Sequence, residues 1–322
     1  VITTPITDMG SLCPILYQGA VPVFADLHPR SYVLQPEAVE AAITPRTRAV
    51  LAVHLWGNAC NLDALKALCD RHNLTLIEDC AQAWGTTWKG QSVGRIGQIG
   101  CFSLNEFKHI SCGDGGVVAT DDEELAVRLR LATDKAYDRR PGVTNRNPTF
   151  LATNYRMTEL QGAVARAQLK KLPEIVSRRR AWCQALSERL TGLEGLLLPQ
   201  ATPGCDPSWW FYMMRVEPDV LGADADRFAE ALQAEGLPVS AHYIGRCVYE
   251  YDIFTHHSAF PRGSHAYEAR EYRKGMCPVA ESILETAVML PINEGYTDTD
   301  LDETVEAITK VARWFASQKA AV

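Results

Sequence analysis

No CxxC pair occurs in this chain, although it holds ten cysteines spread from Cys13 to Cys277. That absence removes the ligand spacing of a zinc site, and no metal is expected. Several cysteines, such as Cys80 and Cys101, sit in apolar strand-like runs, so reduced, buried thiols of an intracellular protein are expected. No apolar run reaches the roughly 18 residues a membrane helix requires. A signal-peptide pattern is missing too, so a cytoplasmic location is expected, with no membrane partner. Positive charge is not in excess: 32 Lys and Arg face 39 Asp and Glu, a net charge of −7. Nucleic acid needs a clustered basic face and is not an expected partner; the densest basic spot, SRRR at residues 177–180, reads as a solvated helix face. The phosphate-loop pattern GxxxxGK[ST] is absent. VGRIGQIG, residues 93–100, spaces its glycines as GxxGxxG rather than GxGxxG, with no helix after it, and reads as a turn-rich connection. Internal repeats and low-complexity tracts are lacking. So is an initiator methionine: the chain opens VITTP, already strand-like, and is expected to be N-terminally incomplete.

What is present is ordinary globular composition over 322 residues, 47% hydrophobic and 22% charged, enough for two packed units. In the first half, apolar strand-like runs alternate with helical periodicity. RAVLAVHL is followed by LDALKALCDRHN, with Leu62, Leu65, Leu68 and Cys69 at helical spacing. TLIED, IGCFSL and GGVVAT read as further strands, and DEELAVRLRLATDK as a helix opened by acids and closed by bases. Strand–helix–strand order with fully apolar strands predicts an α/β fold on a mostly parallel sheet. Residues 157–190 are helical throughout, with Pro173 expected to kink or split them. Beyond lie a strand, WWFYMMRV, a helix over DADRFAEALQAEGL with an Asp cap and closing Gly236, and a terminal amphipathic helix. The expected division is a large domain over residues 1–175, then the long helix and a smaller α+β domain over 176–322.

Strands of a parallel sheet deliver side chains to a crevice at their carboxyl ends. Asp79 closes TLIED, Ser103 closes IGCFS, and Lys108 follows five residues later. A lysine in an apolar, hydroxyl-rich run is costly unless paired, neutralised or used covalently. A Schiff base with pyridoxal phosphate needs an acid at the ring nitrogen, donors for the phosphate and a lysine. Asp79, Ser103 and Lys108 supply one of each. A surface lysine beside unrelated strand-end polar residues is the plain alternative. The glycines of GDGG allow close backbone approach near the lysine, form a hairpin turn into VVAT, or both.

IEDCAQAWG (residues 77–85), GRIGQIGCFSLNEFKHISCGDGGVVATDDEEL (94–125) and NYRMTELQGAVARAQL (154–169) resemble the DegT/DnrJ/StrS family of pyridoxal-phosphate-dependent sugar and cyclitol aminotransferases. The opening VITTPITDMGSLCPILYQGAVPVFADLHP, the segment AAITPRTRAVLAVHLWGN and the pair CPVAE and MLPINEGYT fit it as well, so the resemblance spans nearly the whole chain in order. It implies the aspartate-aminotransferase-like fold type I, with a three-layer α/β/α large domain and a smaller α+β C-terminal domain. Lys108 matches the lysine that forms the internal aldimine. Asp79 matches the acid at the pyridine nitrogen, Gln82 the amide beside the ring's phenolic oxygen, and Ser103 the hydroxyl on the phosphate. Asn154 matches a residue that reaches the phosphate of the neighbouring subunit's cofactor, which implies a homodimer with its active site at the subunit interface. His242 and Tyr243 match a region bordering the substrate pocket. The implied reaction moves an amino group from glutamate or glutamine to a keto sugar, nucleotide-linked, or a keto cyclitol.

Three departures stand out. Asp8 occupies the segment where an aromatic residue usually stacks on the pyridine ring, and a carboxylate cannot stack. NEF precedes Lys108 where many members have a proline-containing turn. The family's N-terminal segment, with a small-residue turn that binds phosphate through backbone amides, is not in this chain. Two rival readings remain. A dehydratase of the same fold commonly carries histidine in place of the lysine, which gives His109 a place among the candidates. The other is a non-catalytic paralogue or partner subunit, against which stands the joint presence of Asp79, Gln82, Ser103, Lys108 and Asn154.

Overall fold

The computed structural model describes residues 1–144 and 147–320. The chain opens with β1 (Ile2–Thr3), α1 (Met9–Tyr17), β2 (Val23–Phe24), α2 (Pro36–Ala41) and β3 (Ala49–Val53). Then come α3 (Leu62–Arg71), β4 (Thr75–Asp79), the short strands β5 (Thr87–Trp88) and β6 (Gln91–Ser92), β7 (Ile99–Ser103), β8 (Gly116–Ala119) and α4 (Glu123–Ala132). Two helices follow, α5 (Glu159–Leu169) and α6 (Leu172–Leu190). The rest is β9 (Leu196–Leu197), β10 (Cys205–Asp206), β11 (Phe211–Val216), α7 (Pro218–Leu221), α8 (Ala225–Ala234), β12 (Ser240–Ala241), α9 (Asp252–Thr255), α10 (Pro278–Thr286), β13 (Ala287–Pro291) and α11 (Asp298–Ala320).

The central sheet has the order β2-β1-β3-β4-β7-β8. It is parallel from β2 through β7, and β8 returns antiparallel beside β7. The all-buried β3, AVLAV, has the continuous apolar run that a strand covered on both faces requires. Its crossover helix α3 starts where the Asn61 side chain accepts the Ala64 N–H and buries Leu62, Leu65, Leu68 and Cys69. Pro173 does split the long helical stretch: it sits in the first turn of α6, where a missing N–H costs nothing. A second sheet, β12-β13-β11-β9, is antiparallel throughout. Asp224 caps α8 and Gly236 follows it at φ +93°, as the sequence predicts. Two large cores result, one against the central sheet and one between the second sheet and α6, α8 and α11. Residues 247–287 pack into the first core, across the boundary expected near residue 175. All ten cysteines are free and seven of them are buried.

One buried carboxylate organises the site's floor. Glu78 on β4 has no exposure. Its Oε2 accepts from His54 Nε2 at 3.0 Å and Gly94 N–H at 2.7 Å; its Oε1 accepts from the N–H groups of Ile96 at 2.8 Å and Gly97 at 2.6 Å. The turn-rich reading of VGRIGQIG is thereby given a cause, because the loop's amides cradle a protein carboxylate. Gly94 has φ +85°, and a Cβ on Gly100 would lie 2.3 Å from the Gly94 carbonyl oxygen, so neither position admits a side chain. His54 Nδ1 accepts the Cys60 N–H at 3.2 Å, which fixes the ring proton on Nε2, facing Glu78. His54, Glu78 and Cys80 place their ligating atoms within 4.8 Å of one another. Yet both Glu78 oxygens and His54 Nδ1 already accept N–H donors, so the trio is a structural lock.

Burial by itself raises Glu78's pKa, but the His54 and backbone N–H donors hold it below the ordinary 4.5. The contribution is therefore present above that pH and is lost as pH falls through the folded value. Glu78→Gln is expected to cost about 3–5 kcal/mol at neutral pH. It should also flatten the loss of stability between about pH 5 and pH 3. Urea denaturation at both pH values checks this.

Candidate active site

Side chains alternate along a strand, so Glu78 pointing inward turns Asp79 outward at the carboxyl end of β4. The Asp79 carboxylate is fixed at both oxygens: Oδ1 accepts the Ala81 N–H at 3.0 Å and Oδ2 the Ser11 hydroxyl at 2.7 Å. Ser11 comes from the first turn of α1, and its Oγ lies 2.7 Å from Thr7 Oγ1. Asp8, exposed beside it, caps α1, with Oδ1 accepting the Gly10 N–H at 2.7 Å. Its carboxylate therefore has a local structural use as well as a place at the crevice mouth.

Lys108 stands in the connection from β7 to β8. Asn105 shapes that loop: its Oδ1 accepts the Phe107 N–H at 3.2 Å and its carbonyl the Lys108 N–H at 3.1 Å. An Asx turn thus does the work of a proline turn and accounts for NEF at this position. Ser103 Oγ accepts the Asn105 N–H at 3.2 Å, leaving its own proton free to donate. Lys108 is half-buried, with Nζ 4.0 Å from the centroid of the Trp210 ring. Trp210, buried just before β11, donates its indole N–H to the Phe107 carbonyl at 2.6 Å, tying the lysine loop to the second sheet. Burial lowers the Lys108 pKa below its ordinary 10.5, and the charges of Asp79 and Asp8 offset part of that. Among the described residues Lys108 Nζ makes no hydrogen bond or ion pair. This is a desolvated amine held against an aromatic face.

Gln82 lies in the turn after Asp79. Its Oε1 accepts the Trp56 N–H at 2.8 Å, and its Nε2 lies 3.5 Å from the Tyr243 hydroxyl. The Trp56 and Tyr243 rings meet edge to face at 5.3 Å. Burial pushes the Tyr243 pKa up to about 12, so its hydroxyl stays protonated and can donate. The structure thus gathers Asp8, Asp79, Gln82, Lys108 and Tyr243. His109 is instead buried, with Nε2 3.1 Å from the Ser208 carbonyl oxygen, and burial followed by the Arg179 charge lowers its pKa to about 3. His242 faces Asp226 and the Leu284 carbonyl. Asn154 is exposed and bridges to Asp134 across an isolated β-pair, its Oδ1 accepting from Arg156 Nε at 3.1 Å. Sequence reading missed Ser11, Trp56 and Trp210. The only signal was the Trp209–Trp210 pair at the head of a strand, since an exposed double tryptophan would be wasteful.

Comparison with known proteins settles the family. Residues 1–309 match the model of the DegT/DnrJ/EryC1/StrS aminotransferase family. The dTDP-3-amino-3,4,6-trideoxy-alpha-D-glucose transaminase of Streptomyces venezuelae is 34% identical over 315 residues, covering 98% of this chain and 76% of that protein. A solved aminotransferase from Psychrobacter cryohalolentis superposes with a TM-score of 0.85 at 29% identity, covering 98% of this chain and 81% of that one. DesV from S. venezuelae, solved in complex with a ketimine intermediate, gives a TM-score of 0.83 at 33% identity, with 97% of this chain and 78% of that one covered. The chain belongs to the DegT/DnrJ/EryC1/StrS aminotransferase family, and its fold is the fold type I of those enzymes.

Trp210→Ala admits water around the lysine, and because burial is the largest cause of its lowered pKa, this outweighs the loss of a π face that favours the ammonium. The Lys108 pKa is then expected to rise toward 10.5. The pH dependence of Lys108 acylation by limiting reagent, read by mass spectrometry, measures the change.

Proposed function

We propose that this aminotransferase uses pyridoxal phosphate to move an amino group from glutamate or glutamine to a keto sugar, nucleotide-linked, or to a keto cyclitol. The observation that carries the reading is Lys108: a half-buried amine on Trp210, facing the anchored Asp79, with its pKa lowered by burial. The side chains around it fit the cofactor. Asp79, with both oxygens already oriented by donors, has lone pairs left for a protonated ring nitrogen. Gln82 has an amide N–H to offer a ring oxygen, and Ser103 a hydroxyl to offer a phosphate. When bound, pyridoxal phosphate supplies an aldehyde carbon for amines and a ring that takes up an electron pair.

The chain's own residues do the rest. Asp79, its carboxylate fixed by Ser11 and Ala81, would hold the ring nitrogen of a bound cofactor in its protonated form. Lys108 Nζ, less often protonated than a solvated lysine, takes and returns a proton. Trp210 covers one side of that amine and excludes water from it. With His109 turned to the Ser208 carbonyl, the dehydratase reading has no observation in its favour.

The same reading includes a homodimer. Helix α5 buries none of its side chains in the monomer. Leu151, Tyr155, Leu160, Val164 and Leu169 stand 99%, 68%, 80%, 46% and 50% exposed on it and on the segment before it. An isolated helix of this length is marginal, and an apolar patch of this kind is a docking surface. Asn154 lies within the same stretch, where a second subunit's phosphate would reach it.

Adding pyridoxal phosphate to the purified protein should produce a visible absorbance band that bleaches with the amino donor; absence of the band overturns the reading. Lys108→Ala should abolish the band. Asp79→Asn should retain cofactor uptake but slow turnover by about 10²–10⁴-fold. Leu160→Asp should convert the dimer to a monomer in sedimentation experiments and weaken cofactor uptake with it.

A further inference from the structure

His242 and Tyr243 follow β12 directly, and both have left-handed backbone, at φ +63° and +52°. Neither is glycine, and two such residues in succession persist only where flanking contacts impose them. The backbone part of those contacts is the His242 N–H donated to the Ala287 carbonyl at 2.9 Å, and the Gly245 N–H donated to the His242 carbonyl at 2.8 Å. The side-chain part is a clamp on the imidazole. Nε2 lies 3.0 Å from Asp226 Oδ1 on α8, and Nδ1 lies 3.0 Å from the Leu284 carbonyl oxygen on α10. Both partners are acceptors. A neutral imidazole carries one N–H and can satisfy only one of them; the imidazolium carries two and satisfies both. On the other side of the bend is Tyr243, with its hydroxyl 3.5 Å from Gln82 Nε2 and its ring against Trp56.

We infer that His242, bridged between Asp226 and the Leu284 carbonyl, is a positioning residue that sets the Tyr243 hydroxyl against Gln82, and that the bridge is complete only when His242 is protonated. His242 thus acts through its neighbour rather than by touching substrate. The charges that face it are Asp226 and Asp224, both at the start of α8; α10 and β13 offer the Leu284 and Ala287 carbonyls. Burial lowers the His242 pKa, but the bond to Asp226, the Leu284 carbonyl and the two aspartate charges outweigh it and raise the value above 6.5. The complete bridge is therefore held below the ordinary value and lost as pH rises through the raised one. Asp226 is 68% exposed, so replacing it empties no core.

The consequence for turnover rests on the transaminase reading; the bend itself does not. The test uses the intact chain labelled with 3-fluorotyrosine, with the Tyr243 fluorine signal identified by its loss in Tyr243→Phe. In the wild type that signal should shift with pH at a midpoint above 6.5; in Asp226→Asn the midpoint should fall, and in His242→Gln the shift should vanish. A Tyr243 signal indifferent to pH from about 5 to 9 overturns the inference, whether or not the protein takes up pyridoxal phosphate. Failure of cofactor uptake alone would sink only the transaminase reading. In the active enzyme, Asp226→Ala should raise KM for the keto acceptor about five-fold with kcat little changed, the scale of one lost hydrogen bond. Added to Tyr243→Phe, Asp226→Ala should change nothing further. If the two effects multiply instead, the bridge does not work through Tyr243 and the inference falls.

Discussion

A carboxylate with no exposure, saturated by four N–H donors, is the constraint on which the rest of the site depends. Burying a charge is costly unless each acceptor position is filled. At Glu78 the donors come from His54 just beyond β3 and from the loop that leads into β7. That single group therefore registers three consecutive strands of the parallel sheet. Because side chains alternate with period two, it also decides where Asp79 points. A slip of one residue would bury Asp79 beside His54 and turn Glu78 to the crevice. Two adjacent carboxylates on one strand thus divide the labour, the first fixing the frame and the second facing the side of Lys108.

The lysine is the complementary problem. Its amine is taken partly out of water, which shifts it toward the neutral form, and it is given a π face in place of a counter-ion. An ion pair at Lys108 would instead have stabilised the charged amine. Asp79 and Asp8 are near enough to be felt but are each committed elsewhere, to Ser11 and Ala81 in one case and to the Gly10 N–H in the other.

Much of this was legible in the sequence, for local reasons. TLIED is a strand in both readings because an apolar run ending in a carboxylate has few other uses. Pro173 and Asp224 marked helix starts because their backbone preferences are intrinsic. The family motifs named Lys108, Asp79 and Gln82. What stayed hidden depends on distant segments meeting. Nothing local says that Glu78 would draw in the amides of Gly94, Ile96 and Gly97, so the two glycines read only as turn residues. Trp210 lies 102 positions beyond Lys108, and its strand context explained it without reference to a site. The resemblance matches His242 and Tyr243 alike to a region bordering the substrate pocket; the contact of His242 with Asp226 and the Leu284 carbonyl follows from a left-handed bend that no residue type there would announce.

The two sheets meet at Gln82. It accepts from Trp56 beside the central sheet and reaches Tyr243, delivered by the second. Lys108 has the same divided allegiance, since its carboxylate neighbour Asp79 stands on β4 while its aromatic cover Trp210 immediately precedes β11. The lowered pKa of the amine is accordingly a property of neither sheet alone. It exists because β11 is held against the lysine loop by the indole bond to Phe107. The acidity of the amine and the placement of the Tyr243 hydroxyl are then set by the same packing of one sheet on the other. A substitution in the second sheet that shifts that packing must alter both together, even where it lies far from Lys108 in sequence.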